Sequence, residues 1–353
     1  MMPTDTQTGQ SIASARRVTD PIVLCASDEN YVRPLAVMLH SAASHLAVGK
    51  HLHVVLLDAG ISPSSLVGLR ETLIDLPVTI DILKPDLAAV ADLATSHHIT
   101  QAAYLRLMAA TLLPESIERV IYLDSDVLVQ DDLSRLWELP IGDDYCLAAV
   151  DISCPFVDAR TIRDDDRREC KPWLGELAPI RNWRQLGIDG SAHYFNSGVL
   201  VLNLRQWRAD QIQPKLFACL RDNAADVFCW DQYALNVVFA GRWSALPPRW
   251  NQGSHIFEYP SADHSPIPRD DFLSMRDNPA IIHYTTEFKP WEHRPFHPRR
   301  ELYYRHLDQT AWAGWRPEKP KFKFRKWWNF QAVQLFRRWT VRWRKLKLRF
   351  NAV

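Results

Sequence analysis

The chain has 353 residues and is 47% hydrophobic, which suits one large domain with an appendage or two domains. Its formal net charge of +1 hides an asymmetry, because residues 319–353 carry twelve Lys or Arg and no acidic residue, which leaves residues 1–318 with a net charge of −11. Such asymmetry predicts a partner for the basic end. No run of about 18 apolar residues occurs, so we expect no membrane-spanning segment.

The six cysteines form no CxxC pair, and Cys25 and Cys146 lie in apolar runs that are typical of buried strands. This usage favours reduced structural thiols and a cytoplasmic location. Residues 1–20 are polar and lack the apolar core of a signal peptide, so we predict a flexible N-terminal arm.

The first half of the chain alternates apolar strands with helices. In chain order we predict a strand at 21–27, a helix at 33–46, a strand at 51–60, a helix at 62–76, a strand at 78–83, a helix at 100–113 and a strand at 120–123. This alternation indicates an α/β fold with a Rossmann-like, mixed and mostly parallel sheet flanked by helices.

The second half is less regular. It continues with a strand at 145–152, an irregular charged insertion at 153–192, a strand at 193–204, helices at 207–223 and 228–241, and last strands and loops within 243–251 and 280–291. We therefore expect four parts, namely the arm at 1–20, a principal domain at 21–294, a linker rich in proline and charge at 295–318, and a basic tail at 319–353.

The stretch RVIYLDSDVLVQDDL, residues 119–133, places two aspartates after an apolar strand. Asp124 and Asp126 share a face if the chain stays extended, so their charges repel each other. Ligands of doubly wound sheets bind beyond strand ends, and a divalent cation there would neutralise both carboxylates and carry a phosphate. The alternative is a solvated acidic turn, as expected for Asp164 and Asp166, which have the same spacing but no preceding strand.

Five later positions could complete such a site. His283 ends a predicted strand and could bind the metal, or could be a satisfied core histidine. Lys289, six residues later, suits a phosphate. Asn196 precedes a buried strand, where it could also be a simple turn residue. Asp231 and Gln232 lie in the first turn of a predicted helix, where an aspartate also offsets the helix dipole.

Together these segments resemble the family 8 glycosyltransferases, which include bacterial galactosyl- and glucosyltransferases of lipopolysaccharide and lipooligosaccharide cores. The resemblance covers about residues 21–293 and is carried by the order and spacing of IVLCASDENYV, AAYLRL, VIYLDSDVLVQDDLSRLW, AAVDI, YFNSGVLVLNLRQWR, DQYALN and HYTTEFKPW.

The resemblance implies a GT-A fold, a UDP-hexose donor and Mn²⁺, with Mg²⁺ as a second option for the metal. It assigns the metal to Asp124, Asp126 and His283 and the diphosphate to Lys289. Further nucleotide-sugar contacts fall on Ala26, Asp28, Asn30 and Tyr31 for uracil and ribose, on Arg106 near the donor phosphates and sugar, and on Asp151, Asn196, Asp231 and Gln232 around the donor sugar. Ser125, between the two aspartates, is also expected to contact the nucleotide sugar.

The family pattern also implies transfer with retention of the anomeric configuration. Gln232 is the residue placed beneath the sugar, and an amide is a poor nucleophile, so we expect front-face attack instead of a double displacement. Asp231 would orient sugar or acceptor hydroxyls, and Asp151 completes the expected catalytic group. The acceptor is expected to be a saccharide or glycolipid in lipopolysaccharide core synthesis or other cell-surface glycan synthesis.

Two positions depart from the family pattern. Thr286 stands where the family often has glycine before the phosphate lysine, so the backbone there would approach a diphosphate less closely. Tyr233 replaces an acidic residue that commonly follows the DQ pair, which weakens any role for a third carboxylate.

Three other functions fit parts of the sequence. A haloacid-dehalogenase-type phosphatase also uses DxD after a strand, but Leu128 stands where that class has Thr or Val. A glycosidase needs two carboxylates about 5 to 9.5 Å apart across a sugar. A non-catalytic nucleic-acid-binding protein would use the basic tail, although we expect no nucleic acid partner.

The tail has the pattern of an amphipathic helix. One apolar stripe runs through Trp328, Ala332, Phe336, Trp339, Trp343, Leu346 and Phe350. Basic residues flank the stripe, which favours a peripheral anchor on the anionic inner face of the cell membrane over a helix packed on the acidic body.

Overall fold

The computed structural model describes residues 19–93, 101–162, 168–285, 289–292 and 297–318. The predictions for the arm as far as residue 18, for Asp164 and Asp166, for Thr286 and for the tail at 319–353 lie outside the described residues.

The described residues form ten strands in two sheets. The strands are β1 (Ile22–Ser27), β2 (Leu52–Asp58), β3 (Val78–Leu83), β4 (Arg119–Leu123), β5 (Val127–Val129), β6 (Cys146–Val150), β7 (Phe195–Asn203), β8 (Trp243–Ala245), β9 (Gln252–Gly253) and β10 (Ile281–His283). The large sheet has the order β3-β2-β1-β4-β7-β6-β8 and the small sheet the order β5-β10-β9.

Strand β7 runs antiparallel to both of its neighbours, β4 and β6, while the other four pairs in the large sheet are parallel. The prediction of a mixed, mostly parallel α/β sheet is therefore confirmed. The reversal of β7 matters for function, because it brings the first residues of β7 to the edge where the parallel strands end.

Nine α-helices surround the sheets within the described chain. Two of them begin at clear local signals: Ser62 accepts the N–H of Ser65 ahead of the second helix, and Asp132 accepts the N–H of Ser134 ahead of the fourth. The helices are α1 (Val32–Ser44), α2 (Pro63–Leu73), α3 (Ala109–Leu112), α4 (Leu133–Trp137), α5 (Leu204–Ala209), α6 (Ile212–Asp222), α7 (Trp230–Val238), α8 (Arg269–Asp277) and α9 (Arg300–Leu307).

The core lies on both faces of the large sheet. All six residues of β1 are buried, as expected of a central strand covered on both sides. A separate cluster joins Val37 of α1, Leu128 of β5 and Ile282 of β10 to Tyr303 and Leu307 of α9. At about 1.5–3 kcal/mol for each large apolar side chain, this cluster fixes the small sheet against α1.

Several elements differ from their predictions. The helix predicted at 100–113 is mostly a 3₁₀ helix, Gln101–Met108, followed by the short α3. The helix predicted at 207–223 is divided into α5 and α6, because Gln211 takes the left-handed conformation with φ of 49°. Residues 297–318, predicted as part of a linker, pack on the domain, because α9 buries an apolar face against α1.

Candidate active site

Polar side chains from four strands meet at one edge of the large sheet. Asp28 follows β1, Asp124 follows β4, and Asp151 follows β6, all at carboxyl ends of parallel strands. Because β7 is reversed, its first residues reach the same edge, and Asn196 is among them. Ligands of doubly wound sheets bind beyond this edge, so the topology alone brings these polar residues to one place.

Asp124, Asp126 and His283 direct potential metal ligands to a common point. One ligand atom from each lies within 4.8 Å of the others. Nε2 of His283 is 3.3 Å from Oδ1 of Asp126 and 3.9 Å from Oδ2 of Asp124. The aspartates lie beyond the end of β4 as predicted, in the turn before β5 and not in an extended segment. Strand β10 pairs with β5 so that His283 is opposite Val127.

This donor set fits a hard divalent cation. Carboxylate oxygens suit Mn²⁺ and Mg²⁺, and an imidazole is the commonest nitrogen ligand in proteins. Gly198 leaves room for the three groups: a Cβ added there would clash with the ring of His283 and lie 2.8 Å from Oδ2 of Asp124. The backbone of Gly198 also supports the turn, since its carbonyl oxygen accepts the N–H of Asp124.

Lys289 adds a buried positive charge beside the candidate metal ligands. Its Nζ lies 2.5 Å from Oδ2 of Asp126 and also donates to the carbonyl oxygen of Tyr284. Burial acts to raise the pKa of Asp126, but the charge of Lys289 and the contact with His283 outweigh it and hold that pKa well below its usual range. Asp126 is therefore a permanent anion.

Arg106 connects the metal side of the site to the helix α7. Its guanidinium lies 2.8 Å from Oδ1 of Asp124 and 2.9 Å from Oδ2 of Asp231, and it donates to the carbonyl oxygen of Ser197. The same group stacks over the ring of Tyr122, at 4.3 Å from the ring centroid. Arg106 is almost fully buried, so these contacts fix its position.

Asp231 is a buried carboxyl with an unusual environment. Burial raises its pKa to about 6, even though the charge of Arg106 acts to lower it. The Nε–H of Arg106 is donated to the carbonyl oxygen of Ala103, which leaves Oδ2 of Asp231 without a hydrogen bond among the described residues. The preceding residue, Trp230, has φ of 43°, which is strained for a residue with a side chain.

Gln232, Asp151 and Asn196 form a hydrogen-bonded group next to Asp231. The side-chain N–H groups of Gln232 and Asn196 both donate to Oδ2 of Asp151, at 3.1 and 2.9 Å. The amide oxygen of Gln232 accepts the backbone N–H of Ser197 at 3.0 Å. Both ends of the Gln232 amide are therefore already engaged.

The loop after β1 forms the opposite part of the site. Oδ1 of Asp28 accepts the N–H groups of Asn30 and Tyr31, which caps a 3₁₀ turn at Glu29–Tyr31. The hydroxyl of Ser125 donates to the carbonyl oxygen of Ala26, which joins this loop to the turn that carries Asp124 and Asp126.

One cavity of about 500 Å³ collects these groups. Every predicted site residue lines it except Asn30, which is exposed. Sequence reasoning missed several other lining residues, because they come from the irregular insertion and from the short turns around α7 and β9, where no motif marks them. These include Ser153, Glu176, Phe228, Trp230 and His255.

The structure explains why Tyr233 stands where the family pattern has an acidic residue. Tyr233 is fully buried and does not line the cavity. Its hydroxyl donates to Oδ1 of Asn182 at 2.8 Å, so the residue anchors the 153–192 insertion to α7. An acidic group is absent at this position because the position belongs to the core of this protein.

Comparison with known proteins agrees with this geometry. Residues 21–294 match the model of glycosyl transferase family 8. The chain belongs to this family. It is 31% identical over 294 residues to general stress protein A of Bacillus subtilis. The aligned region covers 82% of this chain and 94% of that protein.

Two further similarities agree with this membership. The chain is 27% identical over 237 residues to the lipopolysaccharide 1,2-glucosyltransferase of Escherichia coli, covering 67% of this chain and 63% of that one. The crystal structure of galactosyltransferase LgtC with donor and acceptor sugar analogs superposes with a TM-score of 0.66 at 23% identity, over 82% of this chain and 96% of that one. The fold is thus the GT-A fold.

Family membership makes this protein a retaining hexosyltransferase, as the sequence predicted, and nothing supports the phosphatase or the nucleic-acid-binding alternative. Among the described residues, no helix combines the length and apolar character that crossing a bilayer requires.

Proposed function

We propose that this protein transfers galactose or glucose from a UDP-sugar to a saccharide or glycolipid acceptor, in lipopolysaccharide core or other cell-surface glycan synthesis, with Mn²⁺ or Mg²⁺. The observation that supports this most is the meeting of Asp124, Asp126 and His283 within 4.8 Å, beside Lys289 and inside the cavity that the β1 loop also lines.

The cavity offers a separate surface to each part of such a donor. Asp28 and Tyr31 would hold the nucleoside, and Lys289 the diphosphate. Asp231 and Asp151 would accept hydrogen bonds from sugar hydroxyls. A bound cation would supply Lewis-acid stabilisation of the departing diphosphate, and the buried charge of Lys289 would add to it without any rearrangement.

The contacts of Gln232 support front-face transfer. Its amide oxygen accepts from both the backbone N–H and the hydroxyl of Ser197, and its amide nitrogen donates to Asp151, so both lone pairs of the oxygen are engaged. The bond from the anomeric carbon to the phosphate oxygen would break as the bond to the acceptor oxygen forms on the same face. The acceptor proton would pass to the leaving phosphate oxygen.

A donor screen tests the proposal directly. UDP-galactose, UDP-glucose and other nucleotide sugars would be incubated with the protein and Mn²⁺, and release of UDP measured with and without chelator. We expect metal-dependent hydrolysis of one UDP-hexose and a heat of UDP binding in calorimetry with Mn²⁺. The proposal is wrong if UDP shows no binding in the presence of Mn²⁺.

We also propose that the tail at 319–353 holds the enzyme at an anionic membrane surface, which would place it peripherally on the cytoplasmic face of the cell membrane. The support is the apolar stripe flanked by twelve basic residues, set against an acidic body.

Sedimentation with vesicles tests the anchor. The full chain should bind vesicles that contain anionic lipid and not neutral ones, and high salt should weaken the binding. Deletion of 319–353, or replacement of Trp339 and Trp343 by Ala, should abolish it. Unchanged binding by both variants would contradict the anchor.

A further inference from the structure

Asn251 joins the metal cluster to the carboxylate on the sugar side of the site. Nδ1 of His283 lies 2.9 Å from Oδ1 of Asn251, and Nδ2 of Asn251 donates to Oδ1 of Asn196 at 2.9 Å. Nδ2 of Asn196 in turn donates to Oδ2 of Asp151 at 2.9 Å. Asn251 is 3% exposed and His283 5%, so water competes little for these bonds.

The donor-to-acceptor direction of this series of hydrogen bonds is fixed at the end formed by Asn196. Asp151 is a carboxylate and can only accept hydrogen bonds, while the backbone N–H of Gly198 can only donate. Asn196 contacts both: it donates from Nδ2 to Asp151, and its Oδ1 accepts from Gly198 at 3.0 Å. The amide of Asn196 therefore has one allowed orientation.

The orientation of the Asn196 amide in turn fixes the orientation of the Asn251 amide. Since Oδ1 of Asn196 is an acceptor, Asn251 must present its amide nitrogen to it and its amide oxygen to His283. An amide oxygen can only accept, so Nδ1 of His283 must carry a hydrogen. Nε2 of His283 is then left to bind a cation through its lone pair, on the side of the ring that faces Asp124 and Asp126.

We propose that Asn251 is a positioning residue for the metal: it holds His283 in the metal-binding tautomer, and Asn196 and Asp151 fix the orientation of its own amide. The proposal rests on the metal site proposed above. It implies that Asn251, whose amide is engaged by His283 and Asn196 and which does not line the cavity, nevertheless sets the affinity for the metal.

Three variants separate this role from general destabilisation. Asn251→Leu removes the acceptor for Nδ1–H and should weaken Mn²⁺ binding by about 10- to 100-fold, the usual cost of losing a partner of a metal-bound histidine. Asn251→Asp keeps an acceptor oxygen for Nδ1–H but sets its second oxygen against the acceptor Oδ1 of Asn196, so it should lose clearly less affinity than Asn251→Leu. Asn203→Leu is the matched control, because Asn203 is also buried and also donates from its amide, but lies at the far end of β7.

Two measurements on the full chain, neither of which depends on turnover, decide the outcome. Free Mn²⁺ is followed by electron paramagnetic resonance to obtain the dissociation constant, and pulsed resonance detects the ¹⁴N modulation of an imidazole bound to Mn²⁺. We expect both affinity and modulation to be lost together in Asn251→Leu, to be lost less in Asn251→Asp, and to be kept in Asn203→Leu.

The outcomes distinguish this inference from the proposed function. If the wild-type chain binds no Mn²⁺, the proposed metal site itself is wrong. If the wild-type chain binds Mn²⁺ and folded Asn251→Leu binds it equally with unchanged modulation, only the role of Asn251 is overturned. Equal losses in the Leu and Asp variants would also overturn it, because the acceptor oxygen would then not be what matters.

Discussion

Asp126, whose side chain is 13% exposed, and the buried Asp231 line the same cavity, yet their pKa values move in opposite directions. Asp126 contacts both Lys289 and His283, and its pKa is held well below the usual range. Asp231 is paired with the guanidinium of Arg106, which is also paired with Asp124. Burial raises the pKa of Asp231 to about 6. A cation of its own, Lys289, therefore makes Asp126 a permanent anion, while a shared cation and deeper burial let Asp231 titrate near neutral pH.

The largest effect should come from removing the permanent anion. Asp126→Asn keeps the shape of the side chain but removes a negative ligand, so transfer should fall by about 10³-fold or more. Initial rates with saturating Mn²⁺ would measure this. Asp166→Asn, at a second DxD spacing in the sequence, is the control and should keep its activity; ordinary turnover by Asp126→Asn would refute the assignment.

Filling the space beneath the metal ligands should have the next largest effect. In Gly198→Ala the new methyl group must displace the ring of His283 and Oδ2 of Asp124. Mn²⁺ affinity should fall by about 10-fold or more, while overpacking reduces the free energy of unfolding by about 1–3 kcal/mol. Calorimetric titration with Mn²⁺ measures the first effect and denaturant unfolding the second. A variant with wild-type affinity would show that the three ligands do not converge as described.

The titrating carboxylate should appear in the pH profile. Because the pKa of Asp231 is raised to about 6, its carboxylate is lost as the pH falls through about 6, and sugar hydroxyls then lose an acceptor. At saturating Mn²⁺, kcat/KM should decline below that pH. Asn cannot titrate, so Asp231→Asn should be slower but independent of pH between about 5 and 7. An unchanged acidic limb in the variant would assign it to another group.

The smallest effect should come from His297, which contacts neither Asp126 nor Asp231. His297 is buried, donates from Nε2 to Ser254, and accepts the N–H of Arg299 at Nδ1. Burial lowers its pKa to about 4. The unfolded chain therefore takes up the proton first, and the free energy of unfolding should fall as the pH drops from about 6.5 to 4, by at most about 3 kcal/mol. Urea unfolding across that range should show a smaller fall for His297→Gln.

Much of the fold could be predicted from the sequence, because the spacing of apolar residues indicates which side chains are buried. The strand predicted at 78–83 has the bounds observed for β3, and the apolar runs at β1, β2 and β7 were placed within a few residues. The division between α5 and α6 was missed, because it depends on one backbone conformation at Gln211. The packing of α9 was missed because its apolar face is short and follows a stretch rich in proline and charge.

The candidate site was likewise only partly predictable from the sequence. Asp124, Asp126 and His283 could be proposed together because each follows an apolar strand in a recognisable family pattern. Asn251 could not, because it stands in a short 3₁₀ turn and its role depends on contacts with residues 32 and 55 positions away. A hydrogen-bond chain that crosses three elements leaves no periodic trace in one sequence.

The segment between β6 and β7 leaves the sheet and returns to it at the same edge, because these neighbouring strands run in opposite directions. Its two ends are tied together where the N–H of Asp151 meets the carbonyl oxygen of Tyr194. Closing a longer or shorter loop between fixed ends changes the entropy only slowly. Replacement of this stretch by its counterpart from another family member should therefore leave the sheet closed, provided that Asn182 is kept to accept the hydroxyl of Tyr233.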